Sequence, residues 1–121
     1  MRILIFIYLA IISLYSLADF VHPMDFNGSE SQKNEVIDYI NKQVRQDYCE
    51  SDLDMCQESM LRMMEQENLN AFKKATSATD RRIMDRAITD YCESGVDMCN
   101  YSTIFMMYEE NVKASNKKLQ W

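Results

Sequence analysis

Glycine and proline are scarce in this sequence, with two glycines and one proline among 121 residues. Strands joined by tight turns have little to turn on, which argues against a sandwich or barrel. Histidine is scarcer still. The single one, His22, stands beside Pro23 near the start and leaves the rest of the chain without a Ser-His or Cys-His arrangement. Neither a glycine-rich phosphate loop nor a C-x-x-C redox pair is present. Basic side chains are outnumbered, 13 against 19 acidic. An acidic chain is repelled by nucleic acid and by anionic membranes, so the expected partner is a protein with a basic surface.

The one long apolar run is at the beginning. Arg2 precedes "ILIFIYLAIISL", and the small residues of Ser16-Leu17-Ala18 follow. This is the pattern of a secretory signal, and the run is shorter than the ~20 residues of a membrane span. The expected layout is therefore a signal peptide over residues 1–18, a flexible leader over 19–33, and one helical domain over 34–121 made of two repeats, 34–75 and 78–118. The leader expectation rests on Pro23, Asn27-Gly28 and the polar residues around them. Without Arg2, 12 basic side chains face 19 acidic ones, a net charge of −7.

What the chain does have is a repeat. "YCESDLDMC" at residues 48–56 returns as "YCESGVDMC" at 91–99, an offset of 43. The same offset aligns residues 40–74 with 83–117, pairing Asp47 with Asp90, Ser59 with Ser102, Met63-Met64 with Met106-Met107, Asn68 with Asn111 and Lys74 with Lys117. The chain is a tandem duplication, and each copy is one structural unit. In the first, Val36, Ile37, Ile40, Val44 and Tyr48 recur at helical spacing, followed beyond the cysteines by Leu61, Met64 and Phe72. The second unit has Ile83, Met84, Ala87, Ile88 and Tyr91, then Tyr101, Ile104, Phe105, Tyr108 and Val112. The fold class is all-α, with two αα-hairpins stacked as a four-helix bundle or a short solenoid.

All four cysteines fall in the repeated phrase. Seven residues along an unbroken helix separate Cα atoms by about 10.5 Å, whereas a disulfide needs roughly 4.4–6.8 Å. Cys49 therefore ends one helix and Cys56 begins the next, with Cys92 and Cys99 repeating the arrangement. Four cysteines allow three pairings. Duplication favours the local ones, Cys49–Cys56 and Cys92–Cys99, because an ancestral single unit had only its own partner. Ser51 with Asp54, and Ser94 with Asp97, are the expected helix caps, and Gly95 the expected left-handed terminator. Zinc sites favour closer spacings than these, so the cysteines read as staples in an oxidising compartment. "DLD" does not continue into an EF-hand loop. No cofactor or metal is expected.

In plan, an α/α repeat with a disulfide in each copy resembles the cysteine-rich Sel1-like proteins, although their regular glycine and alanine positions are missing and the period differs. Insect chemosensory proteins are similar in size and carry a C-x6-C pair, but their second pair is closer together than Cys92 and Cys99. Neither resemblance assigns a residue a role.

Nine of the ten methionines lie beyond the signal region. They are read as core filling or as an adaptable binding surface, in preference to a soft-metal site. The functional expectation is a non-enzyme: an exported binding protein, periplasmic or extracellular, such as an inhibitor, an immunity protein or an accessory of a secretion apparatus. Its partner-binding residues are placed in the acidic corners, at Glu50, Asp52, Asp54, Glu93 and Asp97. Two further readings are a carrier holding an apolar ligand between Met-rich helices, and a hydrolase working through carboxylates.

Overall fold

The computed structural model describes residues 19–50, 55–95 and 98–121. A 3-10 turn (Pro23–Asp25) precedes four helices: α1 (Glu30–Tyr48), α2 (Glu58–Ala75), α3 (Arg81–Cys92) and α4 (Tyr101–Ser115). No strand occurs among the described residues. The expected signal peptide, residues 1–18, lies outside them. Helix α1 packs on α2, α2 on α4, and α4 on α3. The second helices of the two repeats thus form the seam between the hairpins.

The apolar stripes become two buried clusters. Val36, Ile40 and Val44 meet Leu61, Ala71 and Phe72 in the first. Ile83, Met84 and Ala87 meet Ile104 and Tyr108 in the second. The clusters interlock, because Tyr101 of the second repeat belongs to the first cluster and Ala75 of the first repeat to the second. One member of the expected stripe, Ile37, turns out exposed.

Both corners are closed by disulfides in the local pairing. Cys49–Cys56 and Cys92–Cys99 each bring the Cα atoms to 4.6 Å, inside the range that an unbroken helix cannot reach. Helix α1 ends with the Cys49 N–H on the Arg45 carbonyl, and α3 with the Glu93 N–H on Thr89. Gly95 follows at φ 76, the left-handed conformation expected of it. The caps of the next helices differ from the sequence expectation. Gln57 and Asn100 occupy the N-cap positions, three residues beyond Asp54 and Asp97. A tight turn delays each start: the Gln57 N–H donates to the Met55 carbonyl, and the Asn100 N–H to that of Met98, both at 2.9 Å. Ser94 does not cap a helix start either, for its hydroxyl turns back to the Asp90 carbonyl of the preceding helix.

The leader also departs from expectation, for it packs on the helices. Val21 and Pro23 are buried. Phe20 stacks on Tyr101 at 5.1 Å and meets Tyr39 edge-on at 5.4 Å, while Phe26 meets Phe72 edge-on at 5.1 Å. The Tyr101 hydroxyl accepts from the Val21 amide and donates to its carbonyl. Polar clasps fix the far side. Asp25 takes two hydrogen bonds from the Arg81 guanidinium, at 2.6 and 2.9 Å, and His22 Nε2 lies 2.7 Å from Asp85 Oδ1. Two aromatic rings and the aliphatic Val21 in a short segment cover the seam, and their burial outweighs what glycine loosens. Helix α1 accordingly starts at Glu30, before the expected boundary, capped by Ser29 on the Gln32 amide.

Candidate binding surface

Helices joined by short connections run antiparallel. The α1–α2 and α3–α4 corners therefore fall at the same end of the bundle. The second corner is tied to the middle of α1. The Tyr39 hydroxyl, on α1, donates to the Cys99 carbonyl at 2.5 Å and lies 3.1 Å from its Sγ. A cavity of about 310 Å³ lies between the corners, lined by Asp47, Tyr48 and Met64 from the first repeat and by Met98 and Asn100 from the second. Burial, then the nearby Asp47 and Glu67 carboxylates, push the Tyr48 hydroxyl above its usual ionisation range, so it remains a neutral donor.

Of the acidic residues expected to bind a partner, Glu50 and Glu93 are exposed at these corners. Asp52, Asp54 and Asp97 lie outside the described residues. Two residues that the acidic pattern overlooked stand beside them. Met55 and Met98, the same position in each repeat, are 38% and 43% exposed next to a disulfide. Their signal was in the sequence, as an identical methionine directly before the second cysteine of each copy.

A second methionine pair faces solvent along the seam. Met63 and Met106 are 56% and 55% exposed, and both line a groove of about 660 Å³ between α2 and α4 together with Glu67, Lys74 and Glu109. Their neighbours Met64 and Met107 pack against the core clusters. Each Met-Met pair thus divides its labour, one side chain inward and one outward.

A third cavity, largely apolar, contains no methionine. It measures about 400 Å³ and is lined by Phe26, Val36, Ile37, Leu69 and Phe72, with Lys33 and Lys73. The Met-rich stripes expected to line a ligand site do not line this cavity; aromatic and aliphatic side chains do.

His22 was placed outside the helical body by the sequence, and the packed leader corrects this. Its Nδ1 accepts the Met24 amide proton while Nε2 bonds Asp85. With Nδ1 an acceptor, the neutral ring carries its proton on Nε2 and donates it to the carboxylate. Both nitrogens are engaged, so the imidazole acts as a clasp between the 3-10 turn and α3. Among the described residues, no three or more His, Cys, Asp or Glu side chains are grouped to hold a metal ion. Nor is any helix among them long and apolar enough to cross a membrane. No protein-family model, curated protein or solved structure matches the chain.

Proposed function

We propose that the chain is a small exported binding protein that acts by protein–protein contact through its disulfide-closed corner end. The observation that carries this reading is the duplication of an exposed methionine beside an acidic residue at both corners, Glu50 with Met55 and Glu93 with Met98. Thioether side chains adapt to irregular apolar surfaces, and carboxylates around them speed encounter with a basic partner. The disulfides join the two ends of each corner before binding, which lowers the ordering cost on association. Two disulfides also fit an oxidising compartment.

Native mass spectrometry of the protein, gently purified from the cells that secrete it, tests the proposal. A stoichiometric protein partner is expected, and its association should slow and lose salt dependence when Glu50 and Glu93 are both changed to Gln. Binding unchanged at low salt in that double variant removes the corner end from the interface. A second reading, a carrier, draws on the 400 Å³ apolar cavity with its two lysines, which suits an anionic amphiphile. Co-purified lipid in the same spectrum, without a protein, decides for it. The hydrolase reading gains no comparable feature: Asp25, Glu58, Glu65 and Asp90 are engaged by arginines at the surface.

A further inference from the structure

Two stretches of the chain have the form Asn-x-Ser: Asn27-Gly28-Ser29 and Asn100-Tyr101-Ser102. In exported chains this tripeptide is the acceptor for an asparagine-linked glycan, and it belongs on an exposed loop that can carry a bulky polar group. The structure places the two in opposite situations.

Asn27 is exposed, in the loop between the 3-10 turn and α1. Its Oδ1 accepts from the Ser29 amide at 2.9 Å, and its own backbone N–H donates to Gln32 Oε1 at 2.7 Å. The carboxamide nitrogen, Nδ2, has no partner among the described residues. Attachment there would leave the Oδ1 bond in place. Gly28 adopts φ 77 with nothing within 4 Å of where a Cβ would stand, so the loop has open space around it. Asn100 is partly buried beside the Cys92–Cys99 bridge, and its Oδ1 caps α4 on the Thr103 amide. The central residue, Tyr101, is 1% exposed. The Ser102 amide is bound by Asn68 Oδ1, and its hydroxyl lies 3.3 Å from Glu67.

We propose that Asn27 carries an N-linked glycan and that Asn100 does not, an inference that rests on the export reading above. In the transfer, Asn27 Nδ2 forms a bond to C1 of the first sugar of a polyprenyl-diphosphate oligosaccharide. The C1–oxygen bond breaks, the polyprenyl diphosphate leaves with the electron pair, and the amide gives up one proton. No oxidant or reductant is involved. The site is at the N-terminal end of α1, whose 19 residues put the corner end about 28 Å away. A glycan there shields the leader side of the bundle and leaves the corners open to a partner.

The test is secretion of the full chain from cultured eukaryotic cells, followed by intact-mass and peptide mass spectrometry before and after a peptide N-glycosidase. Wild type and Asn100→Gln should each carry one glycan of hexose and N-acetylhexosamine, and Asn27→Gln none. Ser29→Thr keeps both the acceptor pattern and a capping hydroxyl, and should keep the glycan. Because an Asn-Gly dipeptide is chemically prone to deamidation, which would mimic the enzyme's Asn-to-Asp conversion, the readout is the hexose-bearing peptide itself. A secreted, fully oxidised wild type without glycan overturns the proposal, as does a glycan retained in Asn27→Gln and lost in Asn100→Gln. A chain kept inside the cell with alkylatable cysteines overturns the export reading and the glycan with it, an outcome that thiol labelling separates from the first.

Discussion

Tyr101 holds Val21 by both of its backbone groups, accepting from the amide at 3.1 Å and donating to the carbonyl at 2.9 Å, across 80 residues of chain. The hydroxyl sits in an apolar cluster, where an unpaired peptide group costs about 1–3 kcal/mol. Tyr101→Phe keeps the ring and orphans both groups. A loss of about 2–4 kcal/mol is expected in urea unfolding, whereas a loss within experimental error would mean that water reaches Val21.

The same hydroxyl governs alkaline behaviour. Burial holds Tyr101 far above the ordinary tyrosine range. The unfolded side chain ionises near pH ~10, so its contribution to stability is complete below that and is lost as pH climbs toward the folded value. Wild type should become progressively less stable above pH ~10, with Tyr101 ionising only as the chain unfolds. Tyr101→Phe should flatten that slope. At the acid end, the Arg81 hydrogen bonds hold Asp25 below the usual carboxylate range, so the clasp they form is lost as pH falls through that lowered value.

Equivalent asparagines offer a matched pair of substitutions. Asn68 and Asn111 each donate to the carbonyl four residues back, at 2.9 Å. Only Asn68 also accepts from the Ser102 amide, capping the next repeat's helix from α2. Asn68→Ala should therefore cost about 1–3 kcal/mol, and the exposed Asn111→Ala less than about 0.5 kcal/mol. Equal losses would show that the cross-repeat bond contributes nothing.

Helix starts differ between the copies in a way that invites repair. Asn100 caps α4 on the Thr103 amide at 2.8 Å, whereas Gln57, one methylene longer, makes no side-chain cap on α2. Gln57→Asn should stabilise the protein by about 0.5–1 kcal/mol, and Asn100→Ala should destabilise it by about 1 kcal/mol. Thermal unfolding of both variants against wild type checks the pair.

Where the sequence repeated itself, it was legible. Val36, Ile40 and Val44 announce α1 by spacing alone, and the duplicated nine-residue phrase leads to the pairing of Cys49 with Cys56 and Cys92 with Cys99. The leader has one copy and no period. Its position is set by Tyr101 and Phe72, partners far along the chain that no local pattern encodes. The misplaced caps have a different cause. Asp54 and Asp97 are good capping residues, but the turns after Met55 and Met98 carry the chain three residues further before it can coil. Helical spacing already put Met64 on the inward stripe and Met63 beside it, whereas Met55 and Met98 precede their helices, where no period says which side chains face solvent.

Phe20 touches both buried clusters, and Tyr101 sits in the core of the repeat to which it does not belong. An array of independent units can lose one copy and keep the other. Here a shortened gene encoding either half alone would yield a chain whose core is missing rings that the other half supplies. The two copies fold as one unit, because each half completes its core with side chains lent by the other.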